Sequence, residues 1–118
     1  MKRIATFALV LSAMAFPAVA EGWSITKLET MTSDTDCMNK ARAVINRYIF
    51  DYDAGDTGAD SWSVYGYDLE PGQQDVAIIC PLGGGEFVNA MLVIQSESES
   101  EPRNQVAKTL VAYWDEGK

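Results

Sequence analysis

The chain has 118 residues, with 9 Lys and Arg against 17 Asp and Glu and not one histidine, for a formal charge of -8 at pH 7. So acidic a surface repels a phosphate backbone and offers no basic stripe to release counterions, which excludes nucleic acid as a partner. The missing imidazole excludes the usual general base, the Ser-His and Cys-His nucleophile systems and histidine metal ligation, so most hydrolase templates fail.

The first twenty residues, MKRIATFALVLSAMAFPAVA, read as a secretory signal peptide. Lys2 and Arg3 form a positive n-region, Ile4 to Phe16 an apolar stretch, and Ala18-Val19-Ala20 supplies the small side chains a signal peptidase accommodates. The apolar stretch is shorter than the roughly 20 residues that span a bilayer, and Thr6, Ser12 and Pro17 interrupt it. Cleavage after Ala20 is expected, as in Gram-negative export to the periplasm or the medium. Residue 21 is Glu rather than Cys, so no lipid-bearing thiol follows the cut, and no membrane attachment is expected after it. Loss of Lys2 and Arg3 takes the formal charge from -8 to -10. Anionic headgroups are disfavoured for the same reason.

Residues 21–118 suit a single domain. A domain this small buries only roughly 60 to 65% of its unfolded surface and is marginal without help. Cys37 and Cys80 offer that help, because an oxidising compartment lets a disulfide between them persist. They are too far apart in sequence for the C-x-x-C arrangement of redox enzymes, so the bridge reads as structural.

Trp23 to Thr30 is rich in β-branched and aromatic residues and reads as a strand with imperfect alternation. Ser33 followed by Asp36 fits a capping box, and Asp34 and Asp36 place negative charge in the first turn of a helix. Cys37, Ala41, Val44, Ile45 and Tyr48 fall on one face of that helix, which should end near Phe50. The segment DYDAGDTGAD then reads as a turn-rich acidic loop. Ser61 to Asp68 and Asp75 to Pro81 read as strands joined by a Pro71-Gly72 turn, and Glu86 to Gln95 as a third, after Gly83-Gly84-Gly85. That glycine run joins two strands, whereas a phosphate cradle needs a helix N-terminus behind it. An acidic linker, SESESE, precedes a final helix from Pro102 to about Trp114, with Val106, Leu110, Tyr113 and Trp114 as its buried stripe. The order β-α-β-β-β-α predicts a two-layer α+β sandwich, a four-stranded antiparallel sheet with both helices on one face.

A bridge from Cys80 to the helix fixes the strand faces. Alternation sends Val64, Val76, Ile78, Val88, Ala90, Leu92 and Ile94 toward the helices, with Trp62. Tyr65, Tyr67, Ala77, Ile79, Phe87, Met91 and Val93 then face outward. That set is too apolar for a face left to water and marks a candidate interaction surface, for a protein partner or for a second copy in a homodimer.

Asp51, Asp53, Asp56 and Asp60 are the weak metal candidates. The loop has the outline of a calcium loop, but Gly55 and Asp56 stand where an EF-hand requires an oxygen ligand and then Gly, and Trp62 stands where it requires Glu. No metal and no other cofactor is therefore expected. Trp62, Tyr65 and Tyr67 could stack on a sugar, although cross-strand packing is their commoner use.

An Ala-containing helix after Cys37, a strand carrying W-S-V-Y-G, a strand ending I-I-C at Cys80, an apolar strand and a terminal helix together resemble small exported proteobacterial proteins of unknown function. The resemblance implies a helix-to-strand disulfide and supplies no catalytic residue. The expectation is an exported, non-catalytic interaction or accessory module. Ligand or calcium binding through residues 51–60 is the alternative.

Overall fold

The computed structural model describes residues 22–82 and 86–116. The signal peptide and the Gly83-Gly84-Gly85 turn lie outside the described residues. In chain order the elements are β1 (Gly22–Lys27), α1 (Asp34–Tyr52), β2 (Asp56–Ala59), β3 (Ser63–Leu69), β4 (Gln74–Ile79), β5 (Met91–Ser96) and α2 (Ser100–Glu116).

The strands form one antiparallel sheet in the order β1-β5-β4-β3-β2. The α+β class and the two helices are as expected, but the sheet has five strands rather than four. The extra strand, β2, lies inside the segment read as an acidic loop. Asp and Gly disfavour strands intrinsically. Pairing decides the matter here: Asp56, Thr57, Gly58 and Ala59 stand opposite Tyr67, Gly66, Tyr65 and Val64, and Thr57 Oγ1 donates to Tyr65 O at 2.8 Å.

α1 begins where the capping signal placed it. Ser33 is extended and its hydroxyl accepts from the Asp36 amide at 3.0 Å, one of the otherwise orphaned donors of the first turn. The helix runs two residues past Phe50 and stops at Asp53, which takes the left-handed conformation at φ 50°. Its buried stripe of Cys37, Ala41, Val44, Ile45 and Tyr48 packs with Val64, Val76, Ile78, Leu92 and Ile94 of the sheet and Val106, Leu110 and Trp114 of α2 in one core. Cys37 and Cys80 are bonded, with Cα atoms 6.0 Å apart, and both are fully buried. The bond joins the first turn of α1 to the residue that follows β4.

Several boundaries differ from expectation, and α2 starts at Ser100, inside the segment read as an acidic linker. β1 stops at Lys27. Trp62 was expected on the inner face; it precedes β3 and is exposed, because Asp60 Oδ1 accepts from the amides of Trp62 and Ser63 at 3.0 and 2.7 Å and holds a turn there. The last strand is shorter than Glu86 to Gln95: Val88 makes an isolated bridge to Met31, and β5 starts at Met91. Phe87 therefore stands off the strand instead of on its outer face. Between β3 and β4 the Glu70–Pro71 peptide is cis, and Gly72 takes φ 86°. A Cβ at Gly72 would also stand 3.0 Å from the Cβ atoms of Pro102 and Ser98.

α2 lies along the inner side of β1. Trp114 Nε1 donates to Glu29 O at 3.0 Å, and the buried Arg103 guanidinium sits over Gly22, where an added Cβ would be 2.0 Å from Nη2. Helix and strand thus run in the same direction.

Candidate interaction surface

Register assembles the outer face row by row. The central row is Ile25, Val93, Ala77 and Tyr65, each directly opposite the next across β1, β5, β4 and β3. On one side of it lie Lys27, Met91 and Ile79, and on the other Trp23, Gln95 and Asp75. Tyr67 stands opposite Asp56 on β2. Six of the seven residues predicted for this face, namely Tyr65, Tyr67, Ala77, Ile79, Met91 and Val93, share it. Phe87 lies in the segment before β5 and is 56% exposed.

Two residues join the face that sequence reasoning did not assign to it. Trp23 and Ile25 are each 67% exposed. β1 is amphipathic in the reverse sense: its polar Ser24 and Thr26 have the parity of Leu92 and Ile94, which are buried, and its apolar pair points to solvent. Gly22 suits this facing: a one-residue slip of register would flip every side chain of the strand and bring Trp23 beneath the Arg103 guanidinium, which would then have to move aside. The available signal was the Trp-Ser-Ile-Thr alternation, which does not say which side faces in.

The far edge of the face is ordered by polar contacts. The rings of Tyr65 and Tyr67 lie 6.1 Å apart with an interplanar angle of 21°. Tyr65 Oη donates to Asp60 Oδ2 at 2.7 Å. That bond, with the backbone amides of Trp62 and Ser63, holds the Asp60 carboxyl below its ordinary pKa, and the same bond raises the Tyr65 phenol.

The four loop aspartates are dispersed. Asp51 sits on the last turn of α1, where Tyr113 Oη donates to it at 2.6 Å and Arg47 Nε lies 3.6 Å away. Asp53 is the helix C-cap, Asp56 accepts from the Thr57 amide, and Asp60 holds the turn before β3. Among the described residues no three His, Cys, Asp or Glu side chains are placed to share a metal ion, and no helix is long and apolar enough to cross a membrane.

On the opposite side of the molecule the two helices are cross-braced. Arg47 bonds Glu116 and lies over the Tyr113 ring, 3.8 Å from its centroid. The bond to Asp51 pushes the Tyr113 phenol up to about 12, and burial raises Tyr48, whose hydroxyl donates to Glu70 O at 2.5 Å. Every group here is already engaged with another side chain or backbone atom, so the cluster reads as packing. No family model, curated protein or solved structure matches this chain.

Proposed function

We propose that this chain is an exported, non-catalytic interaction module that binds another protein through the outer face of its sheet. The observation that carries the reading is the apolar field of Trp23, Ile25, Val93, Met91, Ile79, Tyr65 and Tyr67, which among the described residues lies on a side of the sheet that carries neither helix. Contiguous exposed apolar surface of this kind marks interaction sites in soluble proteins, and tyrosine, tryptophan and methionine are the side chains enriched in them. Export is supported by the N-terminal sequence and by the buried disulfide, which an oxidising compartment maintains. The absence of histidine leaves the chain without the commonest acid–base catalyst.

The test is photo-crosslinking in the native host. A photoreactive side chain replacing Met91, on the face, should capture a discrete protein, and the same group replacing Asn46, on the exposed side of α1, should not. Equal capture from both positions, or none from either, would remove the reading.

A further inference from the structure

We infer that β1 is a pairing edge, and that its occupant is the β1 strand of a second copy of this chain. The proposal does not require the outer face to bind anything.

Three observations carry it. First, β1 is a terminal strand of the sheet, with β5 as its one partner among the described residues. The Leu28 amide donates to Ala90 O across that pairing. Antiparallel ladders alternate, so Gly22, Ser24 and Thr26 also turn their amides and carbonyls toward β5. Trp23, Ile25 and Lys27 turn theirs to the open side, where no described residue bonds them. Natural edges are blunted by charge, proline, brevity or bulges. β2 at the opposite edge is short and carries Asp56, with Asp60 just beyond it. β1 has six residues, no proline and a single charge, Lys27.

Second, the strand is self-complementary. With the two-fold axis at Ile25, Ile25 faces its own counterpart and each Trp23 faces the other copy's Lys27. Gly22 to Leu28 then overlap fully. The three outward-turned residues of each copy become hydrogen-bonded pairs, Lys27 meets an indole ring instead of a like charge, and Trp23 and Ile25 gain the cross-strand neighbours that β1 lacks.

Third, pairing at this edge keeps the two β2 edges far apart. In the resulting ten-stranded sheet the acidic β2 edges stand nine strand spacings apart, about 43 Å at about 4.8 Å each. That is far beyond the screening length of about 8 Å at physiological ionic strength. Face-to-face packing would instead set two sheets of this acidic chain only about 10 Å apart. The helices are compatible: α2 lies over β1 and β5, so the two copies of α2 would be separated by about two strand spacings, near the 8–10 Å of ordinary helix packing.

The experiment uses the protein purified from an exporting host in its processed form. Sedimentation equilibrium over a concentration series should show the mass rising to twice the monomer's. Ile25→Cys should form a covalent dimer under mild oxidation, because opposed hydrogen-bonded residues hold their Cα atoms about 5.5 Å apart, within the range of about 4.4–6.8 Å that a disulfide spans. Thr57→Cys on β2 and Val93→Cys on the face should not. Ile25→Pro removes an outward amide and leaves the ladder to β5 intact, so it should keep the parent's melting temperature and weaken the dimer by at least about tenfold. A monomer at every concentration, a dimer indifferent to Ile25→Pro, or equal cross-linking from positions 25 and 93 overturns the proposal. So does a mixed disulfide from position 25 to a different protein in the exporting host.

Discussion

A methyl group at position 22 would stand 2.0 Å from Arg103 Nη2, beneath a guanidinium that is itself buried and donates through Nη1 to Ser98 O at 3.1 Å. Gly22→Ala should therefore push the guanidinium aside and destabilise the domain by about 1 kcal/mol, the scale of its lost bond to Ser98 O. Ile25→Ser, on the outer side of the same strand, should stay within about 0.5 kcal/mol in the monomer. Urea unfolding of both variants at low protein concentration checks the contrast, and equal losses would mean that the Arg103 guanidinium does not resist a side chain at position 22. Tyr113 supplies a residue-level prediction in pH. Its phenol titrates at about 12 in the folded chain against about 10 when unfolded. The neutral, bonded phenol thus contributes its full stabilisation below pH 10, and that contribution is lost as the pH rises through 12. In melting-temperature scans, Tyr113→Phe should lose part of the parent's decline over this window.

At the scale of elements, the Cys37–Cys80 bond ties α1 to the end of β4 across 43 positions. Removing it as the paired Cys37→Ser and Cys80→Ser variant should cost roughly 4 kcal/mol on the chain-entropy argument, a large share of the 5–15 kcal/mol typical of a whole domain. Denaturant unfolding of the pair of proteins measures it. Both helices and three of the five strands were legible from local chemistry: the Ser33 cap, the period of the Cys37 to Tyr48 stripe, and the alternation of β3, β4 and β5. β1 was visible as a strand with its end misplaced. β2 was not visible, because nothing in Asp-Thr-Gly-Ala favours a strand until β3 is beside it. Most of the outer face followed from alternation once Cys80 was pinned to the helix side. The share of β1 in that face did not, because its polar residues are the ones turned inward, and the Arg103 guanidinium that lies over Gly22 comes 81 positions later in sequence.

For the whole molecule, the short β2 with Asp56 forms one edge of the sheet and the unguarded strand β1 the other. A chain of formal charge -8 opposes its own association through long-range repulsion, which salt screens. The proposed dimer should therefore tighten as ionic strength is raised from about 0.01 M to about 0.15 M, where the screening length falls from about 30 to about 8 Å. Sedimentation at the two salt concentrations decides it, and weakening with salt would point to an ion pair between opposite charges that the β1 pairing does not contain. The disulfide has a further consequence for the life of the protein outside the cytoplasm. The exposed stretch from Asp53 to Ser61 lies between its two cysteines, so a protease that cuts the backbone there opens a ring instead of releasing a fragment. The nicked molecule keeps all its parts covalently joined, with the edge strand and the terminal helix on opposite sides of the cut still attached through the bridge. Only reduction would let them separate.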